Sequence, residues 1–105
     1  MPVCHASSIV CDGRALSWFG PESATWSVPV ERLRQIRELV AATGDTPWLL
    51  AFDIDGEDAW LRSPANAIGM NEALTALGRH LDANLELQLE RASAGSSRVV
   101  WSRPR

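Results

Sequence analysis

The chain predicts an α+β fold: a mostly antiparallel sheet of hairpins with two helices packed on one face, in the order β-β-β-α-β-β-α-β-β. Three observations carry that expectation. Short apolar runs alternate with turn dipeptides and are close enough in sequence to pair as hairpins. Two stretches, about residues 29–43 and 71–82, change to helical spacing. No confident β-α-β series with long crossovers is present, so antiparallel neighbours are favoured over a parallel sheet.

Ser8-Ile9-Val10-Cys11 is the first strand signal, Asp12-Gly13 is a turn dipeptide suited to positive φ angles, and residues 14–19 form the return strand. After the break at Gly20-Pro21-Glu22-Ser23, residues 25–28 alternate polar with apolar and put Trp26 and Val28 on one face. From Pro29 the period changes. Leu33, Ile36, Arg37 and Val40 fall within one helical stripe, Pro29 suits a first turn, and Gly44 followed by Pro47 is a stop signal. A strand over about residues 36–43 is the rival reading.

Residues 48–54 and 59–62 form the clearest hairpin, joined through Asp55-Gly56-Glu57-Asp58. Pairing parity puts Leu50, Phe52, Ile54, Ala59 and Leu61 on one face, which belongs to the core. The other face carries Leu49, Ala51, Asp53, Trp60 and Arg62, a mixture that is half exposed or covered by a partner. Asn71 caps a second helix running to about Asp82, with Ala73, Leu74, Leu77 and Leu81 as its apolar stripe and Glu72, Thr75, Arg79 and Asp82 opposite. Leu85, Leu87 and Leu89 then alternate with Glu86, Gln88 and Glu90, the most regular period-2 signal in the chain. The Ala94-Gly95-Ser96-Ser97 loop leads to a last strand over residues 98–102, which Pro104 ends.

The 105 residues, 46% hydrophobic with a formal charge of −3, suit a single globular domain over residues 1–105 that needs neither disulfide nor metal to fold. All ten cationic side chains are Arg, and Lys and Tyr are absent, which fits the codon bias of a GC-rich bacterial genome. Without Lys there is no Schiff base and no phosphate-loop lysine; without Tyr no phenol acts as an acid. The seven glycines never lie closer than seven positions apart, so Gly-x-Gly-x-x-Gly cannot occur. No cofactor is expected. The acidic balance speaks against nucleic acid and acidic membranes as partners. The apolar runs are too short to cross a bilayer and residues 1–8 lack a secretory pattern, so the expected location is the cytoplasm.

The sharpest local motif is Leu49-Leu50-Ala51-Phe52-Asp53-Ile54-Asp55-Gly56-Glu57, an apolar strand ending in Asp-x-Asp-Gly. Over about nine residues it resembles the first motif of the haloacid-dehalogenase phosphotransferases. That resemblance implies Asp53 as nucleophile, Asp55 as acid/base and both as Mg²⁺ ligands. It departs at Glu57, where the family carries Thr or Val, and the family's downstream Lys has no counterpart. The competing account is that Asp-Gly closes a hairpin. Four carboxylates lie between Asp53 and Asp58, but Asp58 and Pro64 stand where a calcium loop needs Gly and Glu. Cys4, His5, Cys11 and His80 exhaust the Cys and His ligands and show none of the paired zinc spacings, so no metal ligand is assigned. Cys4 and Cys11 are expected as reduced thiols, with Cys11 buried and His80 on the surface. Thiol catalysis with His80 as base needs a meeting that sequence does not supply, and Gly-x-Ser-x-Gly is absent.

After Glu90 the chain has no acid, while Arg91, Arg98, Arg103 and Arg105 surround Trp101. Arg and Trp together serve both single-stranded nucleic-acid binding and protein interfaces. Five Trp stand beside two Phe, each on or near a strand signal; most are expected in the core, with some near the surface. Trp60 is the first choice as an interface anchor and Trp48 the second, with Leu49, Arg62 and Trp101 completing the candidate binding residues. No catalytic residue is assigned. The expected function is a small non-catalytic interaction or accessory module whose partner is a protein or a second copy, through a strand edge or the Trp-bearing sheet face. The alternatives are an Mg²⁺-dependent phosphotransfer enzyme on Asp53 and Asp55, or a single-stranded nucleic-acid binder using Trp101 with Arg98 and Arg103.

Overall fold

A computed structural model describes residues 7–20, 24–42, 48–55 and 60–104. The class is α+β, built from two antiparallel sheets and one helix. The first sheet is the meander β1 (Ser8–Asp12), β2 (Ala15–Phe19) and β3 (Thr25–Pro29). Asp12 pairs with Ala15 across a two-residue turn, and Gly13, at φ +61, supplies the left-handed geometry that such a turn requires. Alternation aims Ile9, Leu16 and Val28 inward, with Trp18 paired to Trp26 on the same face. On the outer face the Ser17 and Ser27 hydroxyls hydrogen-bond at 2.9 Å. The expected break at Pro21-Glu22-Ser23 lies outside the described residues.

The second sheet has the order β6-β5-β4-β7, from β4 (Leu33–Val40), β5 (Trp48–Ile54), β6 (Trp60–Pro64) and β7 (Ser97–Ser102). The β5–β6 pairing follows the predicted parity: Phe52 opposes Leu61 on the inner face, whereas Asp53 opposes Trp60 and Ala51 opposes Arg62 on the outer one. Asp55 leaves the strand at φ +58; Gly56 to Asp58 of the predicted turn, and Ala59, lie outside the described residues.

β4 corrects the predicted first helix. Residues 30–32 make only a short 3-10 turn, and Leu33–Val40 is a central strand with β5 and β7 on either side. The helical spacing of Leu33 and Ile36 has a β-sheet cause. Leu33 pairs with Ile54 and Gln35 with Asp53, so Arg34 is an extra residue, and this bulge returns positions three apart to the same face. From Ile36 onward burial alternates normally through Glu38 and Val40. Gly44 and Pro47, read as the helix stop, lie outside the described residues.

The single described helix, α1 (Met70–Leu81), buries Ala73, Leu74 and Leu77 and exposes Glu72, Thr75 and Arg79, as its period predicts. Its cap differs from expectation. Gly69, at φ +83, occupies the N-cap with no side-chain hydrogen bond, and Asn71 lies inside the first turn, its carbonyl accepting from the Thr75 hydroxyl at 2.8 Å. A side chain at Gly69 would also lie 2.8 Å from the Ile9 carbonyl, because the loop before α1 pairs with β1 through Ser8 and Ile68. The predicted strand over residues 85–90 is the other correction: it joins no ladder, although its burial alternates from Leu85 to Glu90. One core unites all parts, with Leu16 and Val28, Leu33, Ile36, Leu50 and Phe52, and Leu74 and Leu77 in a single apolar cluster. Among the described residues no helix is long and apolar enough to cross a membrane.

Candidate functional site

The outer face of the second sheet is a grid fixed by strand register. Leu49 sits between Pro64 and Leu39, Ala51 between Arg62 and Arg37, and Asp53 between Trp60 and Gln35. Val99 extends the middle row onto the edge strand and is 42% exposed. On this face Leu39, Leu49 and Trp60 are half-buried, Arg37 and Arg62 are exposed, and Ala51 between them is 4% exposed. Trp18, Trp26, Trp48 and Trp101 all pack against the core cluster, whereas Trp60 does not. Asp53 carries a buried carboxylate oxygen without a hydrogen-bond partner, and neither Arg37 nor Arg62, diagonal to it on the sheet, forms an ion pair with it. Trp60, Leu49 and Arg62 therefore share one surface.

Trp48 and Trp101 stand on the opposite, inner face. Strand parity turns Glu38 inward between Leu50 and Arg98, where its side chain is 0% exposed. A buried carboxylate needs partners. Glu38 accepts from the Trp48 indole N–H at 2.7 Å, from the backbone N–H of Gln88 at 2.9 Å and of Leu89 at 2.7 Å, and from Arg98 at 2.9 Å. Burial alone would push the Glu38 pKa up, but the Gln88 and Leu89 amides, with Trp48 and Arg98, outweigh it and hold the pKa below the ordinary glutamate value. Arg98 also donates to the Glu86 carbonyl at 2.8 Å. Residues 84–90 are thus tied to the inner sheet face by one carboxylate and one guanidinium.

Asp55 accepts hydrogen bonds from Arg32 Nε and Nη2, and this hydrogen bonding, followed by the charges of Arg32 and Arg34, holds its pKa below the ordinary aspartate value. Asp53 lies on the outer face and Asp55 beyond the end of β5, within an antiparallel hairpin rather than a strand leading into a crossover helix. Arg103 donates to the carbonyls of Leu33 at 2.8 Å and Val30 at 3.2 Å and stacks 5.2 Å from the Trp101 ring centre. The guanidinium groups of Arg98 and Arg103 are thereby engaged within the fold. Cys11 is half-buried, and burial, followed by the charge of Asp12, pushes its thiol pKa up. His80 is exposed, as expected, and Cys4 and His5 lie outside the described residues. No group of three or more His, Cys, Asp or Glu suited to a metal ion occurs among the described residues.

A cleft of about 620 Å³ opens beside Trp48, bounded by residues 65–67, the first turn of α1 and the 85–90 segment. Sequence reasoning missed it and its Glu38 support, because both depend on the two misassigned elements. Residues Ile36 to Val40 show no apolar alternation in sequence, so the burial of Glu38 on a strand face emerges only from the structure. Comparison with protein families, curated proteins and solved structures finds no match, so the functional reading rests on this geometry.

Proposed function

We propose that the chain is a non-catalytic protein-interaction module that self-associates through the outer face of β4, β5 and β6. The observation that carries this reading is Trp60, a half-buried indole outside the core cluster, on a face with half-buried Leu49 and Leu39 and exposed Arg37 and Arg62. Its charges favour a second copy as occupant. A two-fold contact brings Arg37 or Arg62 of one copy toward the half-buried Asp53 carboxylate of the other, one oxygen of which has no donor among the described residues. Apolar anchors at the centre with guanidinium groups around them match the composition of protein interfaces.

Sedimentation velocity over a micromolar to millimolar concentration series tests the reading. A concentration-dependent dimer is expected, weakened at least tenfold by Trp60→Ala and abolished by Leu49→Glu, which places a charge among the apolar residues of the grid. A strict monomer throughout the series refutes self-association, and a dimer indifferent to both substitutions refutes the assignment to this face. Native mass spectrometry with and without Mg²⁺ addresses the rival reading: a stoichiometric cation lost in Asp53→Asn would restore the phosphotransfer alternative.

A further inference from the structure

Residues 84–90 have the alternation of a strand and the environment of an unfinished one. Leu85 is buried and Leu87 and Leu89 are half-buried, so the apolar face is seated. The backbone is not. The Gln88 and Leu89 N–H groups go to Glu38, the Glu86 carbonyl receives Arg98, and the Leu89 carbonyl receives the Ala92 N–H. The N–H groups of Leu85, Glu86 and Leu87 have no protein partner among the described residues. Alternate N–H groups of a strand share one edge, so Leu85 and Leu87 together offer a template for strand addition.

The cleft lies alongside this segment. Its volume of about 620 Å³ falls within the range of ligand-binding clefts, and its apolar lining includes Trp48, Leu85, Leu87 and Met70. Glu72, Glu86 and Glu90 line it with Asn66 and Asn71, and no cationic side chain is among its described lining residues. Glu72, in the first turn of α1, answers the positive end of the helix dipole, so Glu86 and Glu90 set the charge of the opposite wall. Self-pairing of two such segments would crowd like charges, which cross-strand pairing disfavours. The complementary occupant carries cations. Trp48, held by its bond to Glu38, offers an aromatic surface for a guanidinium.

We propose that the cleft beside residues 84–90 receives an extended, arginine-bearing segment of a protein partner by strand addition. The surface is separate from the outer sheet face, and the two proposals stand or fall independently. The test is an NMR titration of the full ¹⁵N-labelled chain with a blocked pentapeptide of sequence Gly-Arg-Val-Arg-Gly. Three controls accompany it: the same peptide with Glu in place of Arg, the same peptide N-methylated at its valine, and argininamide alone. Saturable shifts of the Leu85 and Leu87 amides and of the Trp48 indole N–H are expected. The affinity should fall at least fivefold in the double variant Glu86→Gln, Glu90→Gln, drop with added salt, and remain unchanged in Trp60→Ala. Shifts that map elsewhere, or equal binding of the Glu peptide, would overturn the assignment of site and charge. Equal binding of the N-methylated peptide would overturn strand addition, and equal binding of argininamide would reduce the site to one for a free cation.

Discussion

Replacing Glu38 with Gln perturbs the most connected polar group of the inner sheet face. The carboxylate accepts from Trp48, Gln88, Leu89 and Arg98, with the first three donors all within 2.9 Å. An amide keeps one acceptor oxygen and turns its N–H₂ toward groups that are themselves donors. About two of these donors lose their acceptor, at roughly 1–3 kcal/mol each, and Arg98, 28% exposed, loses its buried counter-charge. The expected destabilisation is about 3–5 kcal/mol, the range for removing one partner of a buried pair. Urea unfolding followed by Trp fluorescence measures the total. Native-state hydrogen exchange locates it, because the Gln88 and Leu89 amides lose their acceptor directly and should exchange faster at least in proportion to the global loss. A variant within about 0.5 kcal/mol of the wild type, the usual reach of a surface change, with unaltered protection of those two amides, would refute the view that Glu38 anchors residues 84–90.

The same residue sets the direction of the acid response. Glu38 has a folded-state pKa below its ordinary value, so the folded state binds its proton more weakly than the unfolded chain does. Its contribution is fully present above the unfolded value, about 4.3 for a glutamate, and is lost as pH falls through the lower folded value. Between neutral pH and about 5, Glu38 adds no slope to stability; below about 4 the wild type should lose stability faster than Glu38→Gln, narrowing the gap between them. Parallel curves throughout that range would show that the carboxylate titrates alike in both states.

Gly78→Ala should destabilise by about 1–3 kcal/mol, although the same change in an open helix stabilises, because the new Cβ would lie 2.6 Å from the Ala83 carbonyl oxygen; thermal melts give the sign. Phe52→Ala should cost about 3–5 kcal/mol in denaturant unfolding, since Phe52 is 0% exposed and lies 5.4 Å from the Trp26 ring. Arg103→Ala should cost about 1–3 kcal/mol, through two hydrogen bonds to carbonyls and the contact with Trp101, whereas a merely solvated terminal arginine would cost nothing measurable.

Local chemistry made much of the fold legible. The β1–β2 hairpin follows from Asp12-Gly13, the faces of β5 and β6 from parity, and the body of α1 from the spacing of Ala73, Leu74 and Leu77. Trp60, Leu49 and Arg62 were brought to one face by the same parity argument, which needs no knowledge of the loop between the strands. Trp48 shares the parity of Leu50 and Phe52, which already separates it from Trp60, whereas apolar Val99 and Val100 on both parities left the face of Trp101 open. Asn71 resembled a cap, but the loop that pairs Ile68 with β1 demanded a positive φ, and Gly69 took the position.

The two misread elements have a common origin in β4. A bulge at Arg34 shifts Leu33 and Ile36 into helical spacing, and a charged residue at 38 breaks the apolar alternation that would have announced a central strand. Once β4 is a strand, Glu38 must face the interior and find donors there. Its strand neighbours have committed their backbone groups to the sheet, so the remaining supply is side chains and whatever chain crosses that face. Trp48 and Arg98 provide the first, and the Gln88 and Leu89 amides the second. Residues 84–90 are thereby held by a side chain at a place where their own pattern asks for a ladder, leaving the Leu85 and Leu87 donors without a partner among the described residues. A bulge and one buried carboxylate thus convert a predicted helix into the sheet's centre and a predicted strand into a candidate docking edge.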